Sequence, residues 1–238
     1  LILTAMREEA AALRDVLAES PERETVVGGA LGVRVRSHHV FGHVLHLAEC
    51  GVGPVNAALA VAAAAQELSI GGVVLLGVGG AVSPSLRIGD AVVSTRVLQH
   101  DSYSSLDFGD VRMAPGEYVL TAEQARAHVA ELRADAELIA LVSRDGETHS
   151  GTVLSGSEFV GTTARKLAIA RLAVDAMLVD MEAAGVAQVA SRLKIPFVVV
   201  KTVADRLHPD GSIEQDFQTC LNAAAKNAAH VLRRCLES

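Results

Sequence analysis

The sequence predicts an α/β fold, a single domain with a mixed central β-sheet flanked by helices. Three observations point there. Short apolar runs rich in β-branched residues, such as Val73-Val-Leu-Leu76 and Phe197-Val-Val-Val200, have the composition of strands buried on both faces of a largely parallel sheet. Stretches with apolar residues at helical spacing lie between them, so strands and helices alternate from end to end. No linker, repeat or low-complexity segment interrupts that order, and residues 1–238 read as one domain, half hydrophobic and long enough for a sizeable core.

Taken in order, Leu1 to Ala5 is a short apolar strand, and Met6 to Glu19 follows as a helix with Ala10, Leu13, Val16 and Leu17 on one side. Glu8 and Glu9 fall in its first turn, where the helix dipole favours acids, so a solvated turn explains them as readily as a site does. Residues 25 to 49 break at Gly28-Gly29, Gly32 and Gly42 into antiparallel hairpins. His38, His39, His43 and His46 alternate with apolar residues there, which makes most of them solvent-facing strand residues rather than metal ligands. Gly51-Val-Gly-Pro54 leads into an alanine-rich helix, Asn56 to Leu68. Glycines before a helix let backbone approach a ligand, although the six-residue dinucleotide fingerprint is not completed. The strand Val73 to Leu76 runs into Gly77-Val-Gly-Gly80, read as a glycine-rich turn at its carboxyl end. Residues 86 to 94 turn into a further strand.

Residues 101 to 118 are the least regular part and hold both tyrosines and one of five phenylalanines. Such clustering in a polar loop suggests a covering surface, either a lid or a subunit contact. Helical pieces follow near 122–132 and 134–144, then the strand Gly151 to Leu154. Phe159, just beyond, is either a core residue or a stacking face for a flat ligand. A helix near 162–171 and a strand from Val174 to Val179 lead to Asp180-Met181-Glu182, which opens a helix ending at Lys194, ahead of Pro196. The strand Phe197 to Val200 follows, with Asp205 just past its carboxyl end. Ligands of open α/β sheets bind outside the carboxyl ends of strands, so Glu182 and Asp205 are candidates for one site. Ser212 is a plausible cap for a last amphipathic helix from about 213 to 236.

Composition narrows the partners. A net charge of −7 without a basic stripe argues against nucleic acid. No run of about 18 apolar residues demands a bilayer. Cys50, Cys220 and Cys235 are odd in number and lack metal-ligand spacing, which suits small core residues in a reducing cytoplasm.

Short motifs spread along the chain then carry a resemblance: Ala5-Met6-Arg-Glu-Glu9, Gly51-Val-Gly-Pro-Val-Asn-Ala57, Gly79-Gly80 with Pro84 to Asp90, His100-Asp101, Leu154-Ser-Gly156 with Phe159-Val160, Asp180-Met-Glu182, Pro196 to Val200, and Asp205. In order and spacing they resemble the nucleoside phosphorylase/nucleosidase superfamily, most closely its bacterial 5'-methylthioadenosine/S-adenosylhomocysteine nucleosidases. The resemblance implies a nucleoside phosphorylase-like fold and cleavage of the N-glycosidic bond of a purine nucleoside through an oxocarbenium-like transition state.

At matching positions it implies that Asp205 protonates the purine at N7, a task suited by a carboxyl whose pKa burial has raised. Glu182 would accept hydrogen bonds from the ribose and stabilise the cation, and Glu9 would orient and deprotonate the attacking water. Met181 would pack beneath the ribose, Phe159 stack on the base, and the Val160 backbone read its edge. Val78, Gly79 and Lys201 complete the expected substrate contacts. The chemistry needs no metal or cofactor. The 101–118 loop would reach the neighbouring subunit's site, which implies a homodimer.

Related phosphorylases hold phosphate with a Gly-Asp-Pro-type turn and an arginine at the first strand, where this chain has Thr4-Ala5-Met6 and Glu9. That favours water over phosphate. Three positions depart from the nucleosidases: Val78 replaces a small hydroxyl residue, Lys201 an arginine, and Ala204 a serine. The covering loop keeps Asp107-Phe108-Gly109 only approximately, with Pro115 and Gly116 resembling its end. A purine nucleoside phosphorylase and a futalosine-type hydrolase stay open as alternatives. Glu9, Glu182 and Asp205 together disfavour a non-catalytic, storage-like member.

Overall fold

The structure is a computed structural model that describes residues 1–16, 22–40, 42–113, 117–127, 131–144, 147–207 and 217–237. In chain order the elements are β1 (Ile2–Thr4), α1 (Arg7–Val16), β2 (Glu22–Val27), β3 (Val33–Val40), β4 (His43–Glu49), α2 (Pro54–Glu67), β5 (Val73–Ala81) and β6 (Ala91–Gln99). The hairpin β7 (Tyr103–Leu106) and β8 (Gly109–Arg112) comes next, then α3 (Ala122–Ala127), β9 (Glu131–Arg133), α4 (Ala136–Val142) and β10 (Thr148–Ser155). The chain continues with α5 (Thr163–Ala170), β11 (Ala176–Asp180), α6 (Ala183–Leu193), β12 (Phe197–Asp205) and α7 (Phe217–Glu237).

The main sheet is mixed, in the order β11-β10-β6-β12-β5-β1-β4-β3-β2, with β9 attached to β6. A further antiparallel pairing of β5 with β11 bends the first five of these strands into a closed ring, and β1, β4, β3 and β2 extend from it as an open flank. That closure determines where the site lies. Gly80 of β5 pairs with Val179 on one side and with Asp205 on the other, so the carboxyl ends of β5, β11 and β12 converge.

Both faces of the ring's central strands are covered, and β12 is buried at all nine positions. Its Phe197, Val199 and Val203 pack with Val61 of α2 and Val186 of α6, while Val198 and Val200 pack with Leu13 of α1 and Ala228 of α7. Alternate side chains therefore enter opposite layers, which explains why the strand is a continuous apolar run. None of the described helices is long and apolar enough to cross a membrane.

Five expectations change. Gly77 to Gly80 are not a turn but the second half of β5, since strand geometry there is secured by pairing with β12 and tolerates the absence of side chains. β12 likewise runs on through Asp205. Residues 131–133 leave the expected helix to pair with Arg96–Leu98 of β6, and a hairpin orders much of the supposed loop at 101–118. His38 is buried rather than solvent-facing. Among the described residues no group of His, Cys, Asp and Glu could hold a metal ion. Pro115, Gly116 and the proposed Ser212 cap lie outside the described residues.

Candidate active site

Where the strand ends converge, a cavity of about 150 Å³ opens, and three buried carboxylates meet it: Glu9, Glu182 and Asp205. Asp180 and the half-buried Glu158 also line it, and the remaining wall, including Met6, Val78, Val160 and Met181, is apolar. Among the described residues no arginine, lysine or histidine lines the cavity.

Glu9 comes from the first turn of α1, at the end of β1. Its Oε2 accepts the N–H groups of Ala5 (2.8 Å) and Met6 (3.0 Å), the reach back to the helix start that a glutamate at the third helical position makes in a capping box. Its Oε1 accepts the Val78 N–H at 2.8 Å. A solvated first-turn acid is therefore excluded: Glu9 is 3% exposed and ties β1, α1 and β5 together. Burial raises its pKa above the ordinary value, partly opposed by Lys201 and by the three N–H groups.

Glu182 stands at the start of α6. Its Oε1 accepts the Gly53 N–H at 3.0 Å, so the glycine turn ahead of α2 touches the site through backbone, as a residue without a side chain allows. Its Oε2 accepts from Lys201 Nζ, also at 3.0 Å. Lys201, fully buried on β12, reaches Asp180 Oδ2 as well, at 3.2 Å. Burial works against the ammonium, but Glu182, Asp180 and Glu9 outweigh it and hold its pKa above the usual lysine value. Asp180, pushed upward by burial and also facing Glu182, accepts the Ala183 N–H and so fixes the start of α6. The expected substrate contact from Lys201 is not what the geometry presents: Lys201 is absent from the cavity wall and braces Glu182 from behind.

Asp205 ends β12. A bulge between Val203 and Asp205 breaks the alternation of the strand, and both Ala204 and Asp205 line the cavity in consequence. Its Oδ2 accepts from the Nζ of Lys166 at 2.5 Å. Asp205 is thus buried as expected, but beside a cation rather than in apolar surroundings alone. Lys166 is 1% exposed on α5 and also donates to the Arg206 carbonyl at 3.1 Å. The sequence reading missed Lys166 and assigned no role to Asp180. Lys166 lies three residues before the buried Ile169, so helical spacing carried a signal that its charge obscured.

Of the remaining expected residues, Val78, Gly79, Phe159, Val160 and Met181 all line the cavity. Phe159 is 62% exposed and no part of the core, and it lines the cavity. Val52 and Val55 are exposed as well, as are Tyr103, Phe108 and Tyr118 in and beside the 103–112 hairpin.

The sequence pattern of the Phosphorylase superfamily matches residues 1–237. A 5'-methylthioadenosine/S-adenosylhomocysteine nucleosidase of Bacillus thuringiensis is 30% identical over 240 aligned positions, covering 99% of this chain and 97% of that protein. The structure of the nucleosidase of the same name from Neisseria meningitidis, in complex with methylthio-immucillin-A, superimposes with a TM-score of 0.80 at 25% identity, over 99% of this chain and 97% of that one. Futalosine hydrolase from Helicobacter pylori also superimposes, with a TM-score of 0.80 at 23% identity over 99% and 96% of the two chains, and shares the fold.

Proposed function

The chain belongs to the phosphorylase superfamily, and within it we propose that the protein hydrolyses the N-glycosidic bond of a 5'-modified adenine nucleoside, 5'-methylthioadenosine or S-adenosylhomocysteine, releasing adenine and a thioribose sugar. The observation that carries this reading is the convergence of the buried carboxylates Glu9, Glu182 and Asp205 on one largely apolar cavity. As C1'–N9 breaks, the base gains negative charge and the sugar positive charge. Asp205 gives its proton to N7 of the leaving purine. Glu182, its orientation fixed by Gly53 and Lys201, takes the ribose hydroxyls and stabilises the cation. Glu9 holds the water and removes its proton. Phe159 covers the base, the Val160 backbone reads its edge, and Met181 supports the ribose, with Val78 and Gly79 along the sugar. Residues 1–238 act as one domain on this reading.

Water rather than phosphate suits the site for a specific reason. The backbone donors at Ala5, Met6 and Val78, which could have held an anion, are already occupied by Glu9. The arginines Arg7, Arg14, Arg34 and Arg36 line a different groove. Loss of a hydroxyl at Val78 and Ala204 favours a futalosine-type substrate as the second reading. The exposed aromatics of the 103–112 hairpin, with Val52 at the cavity and Val55 beside it, support a homodimer in which each hairpin approaches the partner's site, and the odd cysteine count supports the cytoplasm as its compartment. Sedimentation of the purified protein tests the assembly, and a monomer at micromolar concentration would remove it.

Product analysis tests the reaction. Purified protein is incubated with methylthioadenosine, with S-adenosylhomocysteine and with futalosine, each with and without phosphate. Free base and unphosphorylated sugar without phosphate are expected from one of the first two. Phosphate dependence with a sugar 1-phosphate overturns the hydrolase, and cleavage of futalosine alone replaces the substrate.

A further inference from the structure

The two oxygens of Asp205 are not equivalent. Oδ2 is held by Lys166, whereas Oδ1 is buried without a hydrogen-bond partner. A buried acceptor left unsatisfied is costly, and in a cavity wall it marks where a ligand completes the bonding. An ammonium nitrogen has donors only, so the oxygen it faces acts as acceptor and any proton on this carboxyl resides on the other one. Lys166 is itself anchored, being 1% exposed and also bonded to the Arg206 carbonyl. Its stem packs beside Gly80, where a Cβ would lie 3.4 Å from Cε. The residue before Asp205 is Ala204, which has no hydroxyl to steady the carboxyl from the cavity side.

We propose that Lys166 is a positioning residue for the proton donor: it holds Oδ2 of Asp205 so that the proton sits on Oδ1 and is presented to the leaving base. The inference rests on the reading of Asp205 as the group that meets the base. In the step itself the C1'–N9 electron pair goes to the purine, the Oδ1 proton goes to N7, and Asp205 is left as a carboxylate with Lys166 still bound at Oδ2. Lys166 touches neither substrate nor reacting atom. The bulge at Ala204 places that residue on the same wall as Asp205, so a serine there is positioned to replace the lysine as the second hold on the carboxyl.

The test uses Lys166→Met and Lys166→Met/Ala204→Ser in the full chain, with kcat and KM measured on whichever nucleoside the unaltered protein cleaves and adenine affinity by calorimetry. Lys166→Met is expected to lower kcat at least about tenfold while KM and adenine affinity stay within about threefold, since only delivery of the proton is impaired. The double variant is expected to recover kcat at least about fivefold over Lys166→Met, a rescue that a merely structural lysine would not show. A kcat within about twofold of the unaltered protein, a loss shared equally by KM and adenine affinity, or no recovery in the double variant overturns the proposal. Should Lys166→Met melt below the assay temperature, Lys166→Gln, which keeps one donor, is judged by the same comparison alone and with Ala204→Ser. Asp205→Asn is measured alongside: full activity there removes the functional reading itself, whereas an inactive Asp205→Asn with an unaffected Lys166→Met removes only the role of Lys166.

Discussion

Gly77 leaves the space that Glu9 fills: a Cβ at residue 77 would lie 2.3 Å from Glu9 Oε1, a distance that side-chain atoms do not tolerate. Gly77 is a strand residue without a positive φ, so alanine suits its backbone and the whole effect falls on the glutamate. Gly77→Ala is expected to lower kcat at least about a hundredfold by expelling Glu9 from its three N–H donors. In a Glu9→Ala background the same substitution is expected to cost little more. The double-mutant cycle decides, and additive losses would mean that Gly77 serves something other than Glu9.

Lys201 is the charge that makes the neighbouring carboxylates tolerable. Without it, Asp180 and Glu182, both almost completely buried, face each other with no cation between them. Breaking one side of a buried ionic group typically costs about 3–5 kcal/mol, and Lys201→Met is expected in that range in urea unfolding. Lys201→Arg, the residue that the nucleosidase resemblance puts at this position, restores the charge and is expected to recover most of the stability. A loss under about 1 kcal/mol for the methionine variant would show that the carboxylates shed their charge without help.

Much of this arrangement was legible in the sequence, and the parts that were not have a common physical origin. Glu182 and Asp205 stand out because each follows an apolar run at the carboxyl end of a strand, which local pattern reports directly, whereas Glu9 reads equally well as a solvated first-turn acid and becomes a candidate only through the family resemblance. Gly77 to Gly80 misled because glycine is the residue of turns, and only the approach of Glu9 and of Leu178, whose Cδ2 would lie 2.2 Å from a Cβ on Gly79, explains glycines inside a strand. The three-residue β9 is specified by its partner β6 rather than by its own composition. Lys166 is missed and Lys201 reads as a substrate contact rather than a brace, because the burial of each depends on carboxylates 39 and 19 residues away in the chain.

Replacing the proton donor by its amide separates binding from chemistry. Asp205→Asn keeps the shape of the side chain beside Lys166 and removes the ionisable proton. It is expected to lower kcat about 10²- to 10⁴-fold, with adenine affinity largely kept. Rapid-quench measurement of a single turnover distinguishes slow cleavage from slow release, and unchanged cleavage would take Asp205 out of the reaction.

Glu9 gives the pH dependence its sign. Its carboxyl must be ionised to accept a proton from water, and burial holds its pKa above the ordinary 4.5. The acidic limb of kcat/KM is therefore expected to be centred above 4.5, with activity falling as pH drops through it. For stability the sign is opposite. A carboxyl whose pKa is raised by folding favours the folded state in its neutral form, so that contribution is complete below 4.5 and is lost as pH rises through the folded value. Acidification is thus expected to abolish activity before it unfolds this part of the chain. A kcat/KM profile with its acidic limb at or below 4.5 would leave Glu9 as a structural cap only.

The last prediction concerns a contact behind the ribose side of the site. A Cβ on Gly185 of α6 would lie 2.0 Å from the carbonyl oxygen of Pro54, at the start of α2, and backbone cannot swing aside as a side chain would. Gly185→Ala must push α2 and α6 apart, an overpacking of the kind that costs about 1–3 kcal/mol, partly offset by the helix preference of alanine. The displacement has a chemical consequence, because Gly53, immediately before Pro54, donates to Glu182 Oε1. Separating the helices stretches that bond and loosens the carboxylate that steadies the sugar cation. Gly185→Ala is therefore expected to lose transition-state stabilisation beyond its loss of fold stability, binding cationic mimics of the oxocarbenium sugar more weakly while its affinity for free adenine is kept. Equal weakening for mimic and adenine would mean that the helix contact supports the cavity as a whole rather than Glu182 through Gly53.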